Sequence, residues 1–225
     1  MTQYPDRAVG SDKLAVAALT PHHDTAAART DFTVQRWDAD ATAWAVRRLR
    51  ALGQWRPGMD LTPEVFGRLQ VAPYSVTVDE NCNLVLQAGW VALLGGIGGT
   101  SITTKWSATV GRIGIGDSAT AAAYAQTDLQ AATNKYYQLV SSAPAIATGS
   151  SPATFTFTAV FGTGNANYAW QEFVCDEGTA SNTGPVVAVC LNRGVSAQGT
   201  KASGQTWTAT ATISFGYPSG AGTVS

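Results

Sequence analysis

The stretch "TWTATATISF", residues 206–215, alternates without a break. Trp207, Ala209, Ala211, Ile213 and Phe215 fall on one side, and Thr206, Thr208, Thr210, Thr212 and Ser214 on the other. Successive side chains of a strand point to opposite faces, so the stretch reads as a half-buried β-strand with an apolar face and a hydroxyl face. A solvated strand face ordinarily mixes Lys and Glu among its threonines, and this one carries no charge. The threonines are either wet or set against a neighbouring subunit, and the scarcity of charge around them favours the subunit. The apolar side is expected to pack on Phe155, Phe157 and Phe161, since two sheets bury their apolar faces together.

The same pattern recurs in "ATFTFTAVFG" (153–162), where Phe155, Phe157, Ala159 and Phe161 oppose Thr154, Thr156 and Thr158. Four more strands are predicted at "KWSATVGRIGIG" (105–116), "KYYQLVSSAPAIAT" (135–148), "NYAWQEFVC" (167–175) and "VVAVCLNRGV" (186–195). A strand followed by a turn is expected in "YSVTVDENCNLVL" (74–86), and "LVLQAGWVALLGG" reads as a buried helix or an apolar hairpin. Short strands divided by clusters of Gly, Ser, Asn and Thr predict a mainly β fold, an antiparallel β-sandwich or jelly-roll-like domain over 74–217. No internal repeat is visible.

Ahead of that domain, residues 1–35 show neither helical nor alternating periodicity and read as an extended arm, with a short strand at "FTVQRW" (32–37). Residues 36–73 form a helix and a connector. "DADATAWAVRRLRALG" (38–53) is the one convincing α-helix, with an Asp cap, arginines at the end where the dipole favours cations, and Gly53 as a stop. "QWRPGMDLTPEVFGRLQVAP" is a proline-punctuated connector. A flexible tail is expected over 218–225.

Composition restricts the function classes. The 225 residues carry a net charge of −1 and only 13% charged side chains, which gives no bias toward nucleic acid or an anionic membrane. Residues 1–100 hold nine Lys/Arg and ten Asp/Glu, against five of each in 101–225. Weak surface charge is what a surface covered by another protein requires. No signal peptide opens the sequence and no apolar run is long enough to span a bilayer, so a soluble protein is expected. Cys82, Cys175 and Cys190, odd in number and without metal-type spacing, point to reduced thiols in a chain assembled in a cytoplasm. Cys175 and Cys190 read as small buried apolar residues.

Several stretches imitate catalytic motifs and lack the context that the chemistry needs. "GRIGIGDS" (111–118) is not followed by a long helix whose N-terminus could hold a phosphate. "GVSAQGTKAS" (194–203) has Thr200 between its second glycine and Lys201, and a strand follows it. Ser118 has no base near it in sequence, because His22 and His23 lie in the arm. "PHHD" (21–24) lacks further metal ligands. Glu172, an acid within the aromatic "YAWQEF", is expected to pair with Arg112 or Arg193 or to cap a loop amide. The seven tryptophans are scattered over every element and read as core packing more than as a sugar platform.

Taken in order, "NLVLQAGW", "GRIGIGDSATAAAYAQTDLQAATNKYYQLV", "FTFTAVFGTGNANYAWQEFVCDEG" and "VAVCLNRGVSAQGTKASGQTWTATATISF" resemble a recurrent β-rich structural module of tailed bacteriophage virions. The likeness covers roughly residues 74–216. It implies a non-enzymatic virion component without a cofactor, assembled in the host cytoplasm. Its partners would be the major capsid protein or other virion proteins, and neither nucleic acid nor membrane. The leading expectation is a capsid decoration or cement protein on the outer surface of the head, oligomeric and most simply a trimer. The alternatives are a tail-tip or tail-fibre adaptor and a carbohydrate-binding module at the host surface. The candidate interface residues are Thr206, Thr208, Thr210 and Thr212 on the hydroxyl face and Arg47, Arg48 and Arg50 on the basic flank of the helix.

Overall fold

The computed structural model of the chain describes residues 27–80, 83–97, 106, 107, 109–147, 153–178, 181 and 189–216. In chain order the elements are β1 (Ala27–Trp37), α1 (Ala39–Ala51), α2 (Pro63–Arg68), β2 (Ser75–Asp79), β3 (Asn83–Val85), α3 (Gln87–Ile97), β4 (Gly111–Gly116) and β5 (Lys135–Leu139). They continue with β6 (Ala145–Ala147), β7 (Ala153–Phe161), β8 (Ala169–Glu177), β9 (Asn192–Thr200) and β10 (Thr206–Gly216). The strands form two five-stranded antiparallel sheets, ordered β2-β1-β10-β7-β6 and β3-β9-β8-β4-β5. The fold is a β-sandwich.

β10 has the expected two faces, and Trp207, Ala209, Ala211 and Ile213 are buried in the main core. Its relation to the phenylalanines differs from expectation. β7 is its neighbour in the same sheet, in the register Trp207↔Phe161, Ala211↔Phe157 and Ile213↔Phe155, so these side chains share one face. They meet Ile113, Ile115, Trp170 and Phe173 from the other sheet. Phe32 of β1 stacks on Phe173 of β8 with centroids 3.6 Å apart, and Trp170 meets Trp207 edge-on at 4.8 Å.

The N-terminal boundary of the domain is corrected. The short strand expected at 32–37 is present and begins earlier: residues 27–31, expected in the extended arm, also belong to β1, which pairs with β10 from Ala27↔Gly216 to Trp37↔Thr206 and lies one strand in from the sheet edge. Its inward positions include Thr30 and Arg36, both buried beside Phe32 and Val34, so the alternation is hidden by polar residues. Arg36 is satisfied inside by donating to the Gln198 backbone carbonyl at 2.9 Å and to its side-chain oxygen at 2.8 Å, and it lies over the Trp207 ring. Residues 1–26 of the arm and the tail at 218–225 lie outside the described residues.

The described residues hold three helices: α1 as expected, α3 as one of the two options for "LVLQAGWVALLGG", and α2, which was not expected. α1 starts as read, with the Asp38 carboxylate accepting from the Ala41 amide at 2.7 Å, and it ends at Gly53, whose φ of +66° suits glycine. α2 sits in the connector, capped by Thr62 with Pro63 in its first turn, a position where the missing amide hydrogen costs nothing. α1 and α2 build a second small core of Trp37, Ala45, Leu49, Leu61, Val65 and Phe66. Trp37 ties it to the sandwich, stacked on Phe66 at 4.3 Å and donating from its indole nitrogen to the Val71 carbonyl. α3 is a helix but only partly buried, with Val91 and Leu94 exposed. The stretch 135–148 divides at Ser141–Pro144 into β5 of one sheet and β6 of the other.

Candidate interaction surfaces

The outer face of the β3-β9-β8-β4-β5 sheet is covered by the chain's own segment 117–134. The carboxylate of Glu172 on β8 accepts hydrogen bonds from the amides of Gln130 at 2.8 Å and Ala131 at 2.6 Å. Arg193 on β9 donates to the same carboxylate at 2.8 and 2.6 Å. Its Nη1 donates to the Gln126 side chain, and its Nη2, already on the carboxylate, also donates to the Thr120 carbonyl. Glu172 therefore does both things expected of it, and Arg193 is its partner. Arg112 instead forms a bidentate pair with Asp176, at 3.0 and 2.6 Å. All four charged side chains are buried. Burial pushes the Asp176 carboxyl up toward about 7, against the opposing pull of Arg112. Tyr137 donates to Asp128 in the same segment, and Lys135 bonds to Asp128 and the Leu129 carbonyl.

This packing explains the glycines of "GRIGIGDS". A Cβ at Gly114 would lie 2.7 Å from Val174 and 2.8 Å from the Tyr137 ring, and one at Gly116 would strike the Glu172 carboxylate. The glycines make room for the covering layer, and the stretch is a strand with all six residues from 111 to 116 buried. "GVSAQGTKAS" is the end of β9 and a turn, with Gly199 at φ +87°. Lys201 is 1% exposed and donates to the Gly162 carbonyl and the Asn167 side chain, both at 2.8 Å. Burial lowers its pKa to about 8.

Ser118 is half-buried and donates to the Thr120 hydroxyl, while His22 and His23 lie outside the described residues. Among the described residues no three His, Cys, Asp or Glu side chains are grouped to hold a metal ion. Cys175 and Cys190 are free, buried thiols whose pKa values burial raises. Four of the seven tryptophans, Trp37, Trp106, Trp170 and Trp207, are buried, so most of the indole surface is spent on packing.

The outer face of the other sheet carries the threonines and divides in two. At one end the α1–α2 unit covers it. A small cavity of about 210 Å³ between the two is lined by Thr42, Val46, Trp55 and Met59 on one side and by Val160, Gly162 and Thr206 on the other. Thr206 and Thr208 are buried here, at 1% and 0% exposure. The sequence offered these two residues water or a second subunit. The first occupant of their end of the face is instead a segment of the same chain.

The other end is open. Thr210 and Thr212 are half-buried and continue into rows across the sheet, Val78↔Thr33↔Thr210↔Thr158 and Asp31↔Thr212↔Thr156↔Ala145. The hydroxyls of Thr158 and Thr210, and those of Thr156 and Thr212, are 3.4 Å apart. That is well beyond the ~2.7–2.8 Å of a good hydroxyl bond, so these groups keep most of their capacity for other partners. Val76 and Val78 on the edge strand are 50% and 56% exposed. The charges on this end are Asp31 and Glu80, which both pair with Arg29, at 2.9 and 3.0 Å, and leave one net negative charge.

Arg47, Arg48 and Arg50 are exposed on α1, on the side of the helical unit that faces away from the sheet core. Arg50 lies over the Trp55 ring at 5.8 Å. The threonine and arginine candidates thus belong to two separate surfaces. The stapled segment 117–134 is not legible as a unit in the sequence; the signal present is one acid and one arginine in otherwise apolar strands, beside alternate glycines. Comparison with protein-family models, curated proteins and solved structures finds no match to this chain.

Proposed function

We propose that the protein is a non-enzymatic structural component of a tailed bacteriophage virion, a decoration or cement protein that binds the outside of the head as a homo-oligomer. The observation that carries this reading is the open end of the threonine face. It is a β-surface of hydroxyls and exposed valines whose few charges are gathered in one ion-paired cluster of Arg29, Asp31 and Glu80. Its threonine part loses little on desolvation, because threonine methyls pack and hydroxyls find new partners, whereas Lys or Glu would have to shed water. A second copy presenting the same face meets little like-charge repulsion, and several weak contacts on one rigid oligomer would strengthen attachment to a repeating shell. The resemblance to virion modules supports the setting.

The test combines sedimentation of the purified chain with gold-labelled antibody imaging of particles. A homo-oligomer, with a trimer as the simplest form, and label over the head surface are expected. Label confined to the tail tip would replace the head reading by the adaptor reading. A monomer absent from particles would overturn both.

A further inference from the structure

The helical unit carries a surface unlike the threonine face. Between α1 and α2 runs a groove of about 530 Å³, lined by Trp44, Arg48, Leu52, Arg68, Leu69 and Gln70. An adjoining hollow brings Leu49 and Val65 to its floor. Trp44 and Leu52 are 43% and 46% exposed, so large apolar side chains stand open to water beside two guanidinium groups from different helices. We propose that this groove binds a short acidic segment of a partner protein, one with a bulky apolar residue next to an Asp or Glu.

The charge argument rests on how the other arginines are used. Arg29 pairs with Asp31 and Glu80, Arg36 with Gln198, Arg112 with Asp176 and Arg193 with Glu172. Arg50 lies over Trp55, and Arg56 bonds to the carbonyls of Gly53 and Trp55. Arg48 and Arg68 make no ion pair or side-chain hydrogen bond among the described residues. Glu64, one turn before Arg68 on the same helix, is held at the helix start with the Thr62 side chain. Two guanidinium groups flanking an apolar floor select a carboxylate beside an apolar anchor, and Trp and Arg, here Trp44 with Arg48 and Arg68, are residues on which binding energy concentrates. Nucleic acid fits poorly, since the floor is leucine and valine and the chain's net charge is −1. The inference depends on the helical unit alone and stands or falls apart from the virion reading.

The probe is a displayed library of random dodecapeptides, selected on the immobilised full chain and followed by fluorescence anisotropy of synthetic winners. Enriched peptides should share an acidic residue next to Leu, Phe or Trp. Arg48→Glu with Arg68→Glu should weaken their binding at least about tenfold, with only a small fall in melting temperature, because both side chains are exposed and lose only a favourable position in the last turn of their helices. Arg47→Glu, outside the groove, should change it little. Added salt should weaken binding to the wild type. A selection without enrichment, winners lacking acids, or winners indifferent to the double reversal would overturn the proposal. A synthetic peptide of residues 1–26 is tested alongside. If it binds in the groove and the reversal abolishes binding, the occupant is this chain's own segment and the separate partner is excluded.

Discussion

The two sheets present outer faces that are covered in different ways. On the β3-β9-β8-β4-β5 sheet the cover is the chain's own segment 117–134, fixed by buried charges: Glu172 binds Arg193 and two backbone amides of that segment. On the β2-β1-β10-β7-β6 sheet half the face is covered through an apolar contact, Trp37 on Phe66, and half is left open with hydroxyls and two valines. Charge is buried in pairs where the chain covers itself, and on the surface that remains available it is confined to the cluster of Arg29, Asp31 and Glu80. A fixed intramolecular cover can place every donor opposite its acceptor and so tolerate ion pairs, whereas a face that meets water before it meets a partner is better built from groups with small desolvation costs.

The sharpest way to break this contrast is to remove one partner of a staple. Arg193→Met strips the Glu172 carboxylate of its cation while leaving it buried, and it also frees the Gln126 and Thr120 acceptors. Breaking a buried pair in this way costs about 3–5 kcal/mol. Denaturant unfolding should show that loss, and limited proteolysis should cut first within 117–134. A variant as stable as the wild type would mean that the cover is held by its apolar contacts with Leu129 and Tyr137 alone.

The threonine face separates into two predictions along one strand. Thr208→Lys puts an ammonium group into a site with no exposure, next to Val160 in the register, and should destabilise by about 3 kcal/mol or more whatever the oligomeric state. Thr210→Lys, two residues on, lies on the open end and should move stability by no more than about 0.5 kcal/mol. Its effect belongs in sedimentation, where the oligomer should dissociate. If Thr210→Lys leaves the association state unchanged, the open end is a wet surface and the subunit contact lies elsewhere.

What was readable in the sequence follows from which faces are buried. β7 and β10 were legible because one side of each is apolar and the other polar. β4 is buried on both sides, and its Gly-X-Gly rhythm resembled a phosphate loop until Tyr137 and Glu172 were seen to need the space. β1 was truncated in the reading because Thr30 and Arg36 occupy inward positions. α2, six residues long, is too short to show a helical period, and its Pro63 looked like punctuation although it marks the start. The roles of Arg47, Arg48 and Arg50 divide only in three dimensions, where Arg68 joins Arg48 from a different helix. The self-covered half of the threonine face was illegible for the same reason, since nothing local says that a helical unit folds back onto Thr206.

Lys201 offers a finer test, because its charge is buried with neutral acceptors only, the Gly162 carbonyl and the Asn167 side chain. Its folded pKa of about 8 lies below the ordinary 10.5, so between these values the unfolded chain holds the proton more tightly than the folded one. Its contribution to stability is complete above 10.5 and is lost as the pH falls through 8. Taken alone, this group should raise stability from pH 8 to 10, with a slope of at most about 1.4 kcal/mol per unit. The buried thiols of Cys175 and Cys190 and the buried phenols of Tyr137 and Tyr168, whose pKa values are raised, act in the opposite direction around their ordinary values of 9 and 10. The difference in stability between the wild type and Lys201→Met, from denaturant unfolding, should therefore shift in the wild type's favour from pH 7.5 to 8.5 and 9.5. A difference that does not change with pH would place the amine in contact with water.

The smallest effect is expected at the hydroxyl of Thr208. Among the described residues its Oγ1 is buried without a hydrogen-bond partner, and so is that of Thr42 on the helical unit that covers this end of the face. A polar group buried unpaired contributes a desolvation cost and no bond, so replacing the hydroxyl by a methyl of nearly the same shape removes the cost and keeps the packing. Thr208→Val should be neutral or stabilising by up to about 1 kcal/mol, where an ordinary Thr→Val change in a bonded site would destabilise. Thr210→Val, on the open end, should leave stability unchanged and strengthen or weaken association according to whether its hydroxyl bonds across the subunit contact. Thermal melting and sedimentation of the two valine variants therefore separate the self-covered from the open half at the level of a single oxygen atom. If Thr208→Val proves destabilising, the hydroxyl has a partner, most simply a water in the cavity beside Thr42 and Thr206, and the helical unit then meets the sheet through a wet contact instead of a dry one.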